Sequence, residues 1–322
     1  MIDRCNFRCT YCMPEEEYAR HYQFLKKEEW LSFGEILRVT KLFLEIGVNK
    51  VRLTGGEPLL RPDLAELIQE LSRFEQIDDL ALTTNGSLLA PQAKTLKAAG
   101  LQRLTVSLDT LHDEIFRKMS GTRVPVAQVL KGIEEAQRVG FQDIKINVVV
   151  QKGINDHTIL DLVRFFKGTG HILRFIEYMD VGNCNHWTSE FVVPSSELYR
   201  RINEVFPLRL IKPNYHGEVA SRYQFEDGGG EIGFISSVTQ PFCGSCTRAR
   251  LSTDGKIYTC LFSGQGTDLR TPLRAGASDQ ELLAMIKDIW KKRDDRYSEN
   301  RFLLSSRQEK PLKKVEMFQI GG

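Results

Sequence analysis

Six of the seven cysteines fall into two triplets, Cys5, Cys9, Cys12 and Cys243, Cys246, Cys260, while Cys184 stands apart. Three thiolates within the short run Cys5-Asn-Phe-Arg-Cys9-Thr-Tyr-Cys12 can wrap one small metal site. Disulfides would be the first reading in a secreted protein. Here the count is odd and the chain is long, and Met1-Ile2-Asp3-Arg4-Cys5 reads as neither a signal nor a transit peptide, so a reducing, cytoplasmic setting is expected. Zinc favours four closed ligands, usually from paired C-x2-C elements, and bacterial ferredoxins use four cysteines per cluster. The C-x3-C-x2-C spacing supplies three. A [4Fe–4S] cluster held this way leaves one iron open to a further ligand.

An open iron can bind the amino and carboxylate groups of S-adenosylmethionine (AdoMet). One electron from the cluster then cleaves the sulfonium carbon–sulfur bond, the cofactor carrying the hard chemistry. The run Thr54-Gly55-Gly56-Glu57-Pro58 agrees with this. Glycines let a backbone approach a ligand closely, and Glu57 could accept from the AdoMet ammonium; taken alone the run is merely a turn. The second group, C-x2-C-x13-C from Cys243 to Cys260, again offers three thiolates. It reads either as a zinc ribbon with a distant fourth ligand or as a second open-iron [4Fe–4S] site, this one for substrate. Cys184 reads as incidental, since a free cysteine is ordinarily a small buried residue.

The elements that must hold these residues show a βαβα rhythm. Apolar runs predict strands at 51–54, 80–85, 103–109, 145–150 and 173–177, with helices at 64–74, 92–99, 126–139 and 159–166 between them. Parallel strands with helical crossovers follow. Thr83 and Asn85, Ser107 and Asp109, and Lys145 and Asn147 are each two apart and share a strand face. Polar side chains near the carboxyl ends of successive strands favour a barrel with its site at the mouth; an open sheet with a switch-point site is the alternative. After about Pro194 the rhythm breaks, so residues 1–193 are read as the barrel and 194–322 as a C-terminal region, with a helix at 195–205 and a turn at Gly228-Gly229-Gly230. A formal charge of +2 on 322 residues carries no polyanion signature, and no apolar run approaches a membrane span.

The first cysteine group, with Tyr11 just before its last member, resembles the signature of the radical AdoMet superfamily, in which the Gly-Gly-Glu segment contacts the AdoMet ammonium. Within it the chain is similar to the GTP 3′,8-cyclase family of molybdenum-cofactor biosynthesis. The likeness rests on Asp3 to Pro14, Arg52-Leu-Thr-Gly-Gly-Glu-Pro58, Ser107-Leu-Asp-Thr110, Arg174-Phe-Ile-Glu177, the second cysteine group with Arg248 and Arg250, and the terminal Ile320-Gly321-Gly322. It implies an α/β fold, a partial (β/α)6 TIM-like barrel whose lateral opening the C-terminal region closes. It implies two [4Fe–4S] clusters, AdoMet contacts at Tyr11, Gly56, Glu57, Thr83, Asn85 and Ser107, and GTP contacts at Lys50, Arg52, Lys145, Arg174, Arg248 and Arg250. It implies that the radical formed from AdoMet takes hydrogen from C3′ of GTP and that the carbon radical attacks C8 on the way to 3′,8-cyclo-7,8-dihydro-GTP. The resemblance further implies that the Gly321-Gly322 tail enters the site and serves catalysis with Arg248 and Arg250.

The resemblance also implies partners: a flavodoxin- or ferredoxin-type electron donor and a downstream cyclic pyranopterin monophosphate synthase. A homodimer is compatible with it; a nucleic-acid or membrane partner is not. The residues support the carry-over independently. A triphosphate brings about four negative charges, which a near-neutral protein must meet with clustered cations. Lys50 and Arg52 share one strand face, as do Arg248 and Arg250 if that stretch is extended, and Lys145 opens an otherwise apolar strand. Two departures stand out. The family carries a first barrel strand and an arginine before the first cysteine, where this sequence has Met1–Arg4, so an exposed barrel edge is expected. Cys184 falls in what is a polar loop in the family. The competing readings are a radical AdoMet peptide-modifying enzyme with auxiliary clusters and a zinc-ribbon nucleic-acid-binding protein; the latter lacks a basic stripe.

Overall fold

A computed structural model describes residues 1–16, 22–301 and 314–321. Five strands follow one another in the chain and in space: β1 (Lys50–Leu53), β2 (Asp79–Thr84), β3 (Arg103–Ser107), β4 (Lys145–Val150) and β5 (Ile172–Glu177). Each pairs in parallel with the next. Helix α1 (Phe33–Glu45) precedes β1. The crossovers carry α2 (Leu64–Ser72), α3 (Leu89–Ala98), α4 (Asp113–Ser120) with α5 (Val126–Arg138), and α6 (Ile159–Phe166).

One face of this sheet is apolar. Leu82, Leu104, Val106, Ile146, Val148 and Phe175 are fully buried under Leu67, Ile68, Val129, Leu162 and Val163 of the helices. Burying each such side chain contributes about 1.5–3 kcal/mol. A one-residue slip would put Arg103, Lys145 and Arg174 into that layer, so the core fixes the register. The opposite face is therefore where the polar residues must stand. Thr83 pairs with Thr105, Thr105 with Lys145, Ser107 with Asn147, and Asn147 with Arg174.

Beyond α7 (Ser195–Asn203) the chain forms β6 (Leu208–Ile211), β7 (Ser221–Phe225) and β8 (Glu231–Ile235). Strand β8 joins β5 in parallel, and β7 and β6 follow antiparallel, giving one eight-stranded sheet with β1 and β6 at its ends. Six strands thus run parallel, and the boundary expected at 193/194 lies inside a continuous sheet. Glu177, at the end of β5, is fully buried. Its carboxylate accepts from Ser195 N at 2.8 Å, Val238 N and Thr239 N at 2.9 Å, and the Thr239 hydroxyl at 2.6 Å. One buried anion satisfied by four donors thereby fixes the approach to the second cysteine group.

A small antiparallel sheet, β9 (Arg250–Leu251), β10 (Lys256–Tyr258) and β11 (Thr267–Asp268), carries that group. It continues into α8 (Arg270–Arg274) and α9 (Asp279–Lys291). Leu269, Leu273, Leu282 and Ile286 pack with Val39 and Leu42 of α1 in a second core. The C-terminal part thus reaches the β1 side of the molecule. The 212–220 connection, from the β6 end of the sheet, also reaches β1, with Lys50 Nζ 3.0 Å from the centroid of the Tyr215 ring. Among the described residues no helix is long and apolar enough to cross a membrane.

Candidate active site

The first cysteine loop is laid along the end of α4: Arg8 N donates to Ser120 O and Thr10 N to Met119 O, both at 2.8 Å. Cys5, Cys9 and Cys12 lie near enough to oppose one another's ionisation. Burial pushes the Cys5 thiol up to about 11 and the Cys9 thiol well above its usual range, Cys12 and Cys5 adding to the effect at Cys9. Such a trio is costly as thiolates unless a cation shares their charge. Among the described residues no three His, Cys, Asp or Glu side chains are arranged around a single ion. Three buried thiols that sense one another fit the cysteine ligation of an iron–sulfur cluster. Phe7 N donates to Cys5 Sγ at 3.4 Å and Asn85 Nδ2 approaches it at 3.8 Å, contacts of the kind that tune a cluster's thiolates.

The residues expected around AdoMet sit on this loop's supports. Asn85 Nδ2 donates to Asn6 Oδ1 at 2.9 Å, and Asn6 donates to Ser87 Oγ at 2.9 Å. The Tyr11 hydroxyl donates to Asp109 Oδ2 at 2.8 Å, and Asp109, pushed up to about 6 by burial, also accepts from Val149 N. Glu57 differs from the expectation of a carboxylate facing a ligand ammonium. It is 1% exposed, and its oxygens accept from Thr84 Oγ1 at 2.7 Å, Asn85 N at 2.8 Å and Leu59 N at 3.0 Å. Burial pushes it up to about 7. Its side chain therefore holds the β2 end and Asn85. The Gly55-Gly56 step is likewise explained by the chain's own backbone: Gly56 N donates to Ile2 O at 2.7 Å, and a Cβ at Gly56 would run into Arg4 O.

The polar face of the sheet gathers cations. Arg52 is exposed to solvent, yet the protein around its guanidinium lowers it to about 10, with Arg174 and Arg103 adding to the effect. Lys145 is lowered to about 8 by burial and then by Arg174, Arg103 and Arg52. Arg174 is 6% exposed. Arg103, which the sequence reading omits, donates from Nε to Asp79 Oδ1 at 2.6 Å; it opens β3 two residues before Thr105, as Lys145 opens β4, and that placement is its signal. Arg52 also donates to Thr83 Oγ1 at 3.3 Å. Lys50, at the start of β1, lies over the ring of Tyr215, which also influences Arg52 and Arg174.

The second cysteine group joins the same cations. Arg248 Nη2 donates to Cys246 Sγ at 3.3 Å and Phe262 N to Cys260 Sγ at 3.5 Å. Burial raises the Cys246 thiol, but Arg248 outweighs it and leaves the thiol below its ordinary value. Arg250 is lowered to about 10 by burial and Arg248, against the pull of Cys260 and Cys246, and it also senses Arg52. Arg248 Nε and Asn147 Oδ1 are buried with no hydrogen-bond partner among the described residues, as groups that await a polar ligand would be. Ser107, beside Asn147, completes that row.

Helix α10 (Met317–Ile320) brings the tail into this region. Phe318 is buried against Met13, and its N–H donates to Cys12. Arg250 Nε donates to Gly321 O at 3.2 Å. Gly322 lies outside the described residues. Cys184, read from sequence as incidental, donates to Glu316 Oε1 at 3.3 Å and so touches the tail.

Two family models match the chain: the radical SAM superfamily over residues 1–166 and Molybdenum Cofactor Synthesis C over 171–299. Among curated proteins it is 53% identical to a GTP 3′,8-cyclase of Xanthomonas axonopodis pv. citri, over all of this chain and 94% of that one. It is 48% identical to that of Acidothermus cellulolyticus, over all of this chain and 90% of the other. Among solved structures, native anSMEcpe with bound AdoMet superposes with a TM-score of 0.55 at 17% identity, over 87% of this chain and 79% of that one. Streptococcus suis SuiB bound to S-adenosylmethionine gives 0.51 at 21% identity, over 63% and 44%. These two likenesses show the fold.

Proposed function

The chain belongs to the GTP 3′,8-cyclase family of the radical SAM superfamily, and we propose that it converts GTP and AdoMet to 3′,8-cyclo-7,8-dihydro-GTP with the residues described above. As in its family, it uses AdoMet with an iron–sulfur cluster. Cys5, Cys9 and Cys12 would hold that cluster, which supplies the electron that cleaves bound AdoMet to a 5′-deoxyadenosyl radical. Gly56, Thr83, Asn85 and Ser107 line the AdoMet side, with Glu57 and Tyr11 bracing the loops that present them. Cys243, Cys246 and Cys260 would hold a second [4Fe–4S] cluster against the guanine.

The observation that carries the reading is the cation face, where Arg52, close to Lys145 and Arg174, is also near Arg250 of the second cysteine group. Inward cations cost free energy unless an anion meets them, and a triphosphate is such an anion. Held there, GTP would present its ribose between the two cysteine triplets. Arg248, Arg250 and the Gly321-Gly322 tail would orient the ribose and exclude water, so that C3′ lies within reach of the adenosyl radical. A low-potential donor of the flavodoxin or ferredoxin type would deliver the electron that cleaves AdoMet and a second one that, with a proton, converts the cyclised nucleotide radical to the closed-shell product, in a reducing, cytosol-like compartment that keeps the thiolates competent. A cyclic pyranopterin monophosphate synthase would consume the product. GTP deuterated at C3′ tests the reading: deuterium should appear in 5′-deoxyadenosine, and its absence during turnover would contradict hydrogen abstraction at that carbon.

A further inference from the structure

We propose that the loop Asp180–Cys184 is the anchorage that positions the C-terminal tail for cyclisation, with Asp180 as its main positioning residue. The inference rests on the reading of the tail as part of the active site. Asp180 lies just past β5, whose end Glu177 fixes, so it is a firm point in the fold.

The carboxylate of Asp180 gathers the C-terminal chain from two directions. Arg301 Nε donates to Oδ1 at 2.8 Å, Lys314 Nζ to Oδ2 at 2.7 Å, and the Tyr297 hydroxyl to Oδ2 at 2.5 Å. Lys314 Nζ also donates to Asp180 O at 2.7 Å. Arg301 is 2% exposed. Its guanidinium carbon lies 5.2 Å from the Phe262 ring centroid and 5.9 Å from that of Trp187, and Lys314 Nζ lies 4.6 Å from that of Tyr297. One anion thus serves two cations in a site walled by rings. Removing it leaves both cations without their counter-charge, which in a dry site costs far more than an exposed pair would return.

The rest of the loop grips the next residues of the tail. Asn183 Nδ2 donates to Lys314 O at 2.6 Å, and Lys314 N donates to Asn183 Oδ1 at 3.2 Å. Glu316 Oε1 accepts from Asn183 N at 2.9 Å and from Cys184 Sγ at 3.3 Å, and its other oxygen fills the space a side chain at position 182 would take. Glu316 immediately precedes α10, so these contacts set where Phe318 and Gly321 fall. None of the anchoring residues is among those assigned to AdoMet or GTP. Phe262 links the node to Cys260, two positions before it, so tail placement and the second cysteine group share one support.

The test uses the full chain with its clusters reconstituted anaerobically and compares Asp180→Asn, Lys314→Ala and Lys314→Arg. The readouts are the ratio of cyclised product to 5′-deoxyadenosine, iron per chain, and amide hydrogen exchange at residues 315–320. Asp180→Asn and Lys314→Ala should lower the ratio by at least about tenfold and speed exchange in the tail, with iron unchanged, for the loss of one charge-assisted bond. Lys314→Arg, which keeps a cation, should restore most of both. Parent-like ratio and exchange in Asp180→Asn and Lys314→Ala would overturn the anchorage. A chain ending at Ile320 is the control: if it cyclises normally, the reading of the tail fails, whatever the anchor does.

Discussion

Replacing Gly321 by alanine should uncouple AdoMet cleavage from cyclisation, and the structure gives the size of the effect. Gly321 has φ 76° and ψ 134°, a region that costs a residue with a side chain on the order of 1–3 kcal/mol. Its Cβ would lie 2.2 Å from Thr54 Cγ2 and 3.3 Å from both Thr54 Cβ and Oγ1, whereas carbon atoms rest at about 3.5–4.0 Å. Moving the tail away forfeits the 3.2 Å bond from Arg250 Nε to Gly321 O, about 1.5–3 kcal/mol for a charged donor. The smaller ends sum to about 2.5 kcal/mol, or on the order of sixtyfold in tail occupancy. The assay is the anaerobic yield of cyclised nucleotide per 5′-deoxyadenosine. Thr54→Ala in the same chain removes Cγ2 and Oγ1 and leaves one 3.3 Å contact, so the double variant should recover part of the yield. A parent-like yield from Gly321→Ala alone would refute the reasoning.

Further outcomes follow from the same geometry. Cys9→Ala should abolish 5′-deoxyadenosine formation, whereas Cys246→Ala should retain some AdoMet cleavage and lose the cyclised product; a strictly proportional fall of both products in Cys246→Ala would argue against separate roles. Arg248→Ala and Arg250→Ala should each weaken GTP binding by about 1.5–3 kcal/mol and leave AdoMet binding nearly unchanged, as titration calorimetry would read. Lys145, lowered to about 8 by burial and neighbouring arginines, is largely neutral in the free protein at pH 9. A bound triphosphate favours its charged form, so GTP binding should take up roughly one proton at pH 9 and almost none at pH 7. Calorimetry in buffers of different ionisation enthalpy measures this, and an unchanged uptake in Lys145→Met would assign the proton elsewhere.

Strands covered on one face by crossover helices still read as apolar runs, which is why β4 and α6 match their predicted ranges and β1, β2, β3 and β5 shift by a residue or two. The shifts have a cause. Asn85 and Asp109 extend the predicted strands, but in the fold they lie past the ladder and turn their side chains to Asn6 and Tyr11. Helices α1 and α9 carry Ser-x-x-Glu capping boxes, at Ser32 and Glu35 and at Ser278 and Glu281, a signal the periodicity reading passes over. The pairing of β8 with β5 is non-local and has no pattern of its own in the chain. In the site, the cations at strand starts are legible because they break apolar runs. The inward turn of Glu57 is not, since a buried carboxylate with three internal donors and one facing a ligand look the same in sequence. Asp180 shows the same limit: its partners, Arg301 and Lys314, are brought to it only by folding.

The most direct test of the central claim is a single anaerobic reaction of the reconstituted chain with GTP, AdoMet and reductant, with iron measured on the same sample. Two clusters require about eight irons per chain, and turnover should yield 3′,8-cyclo-7,8-dihydro-GTP in step with 5′-deoxyadenosine. About eight irons with AdoMet cleaved but GTP recovered intact would contradict the assignment of GTP as substrate. A chain that binds zinc in place of iron and leaves AdoMet whole would contradict the account altogether.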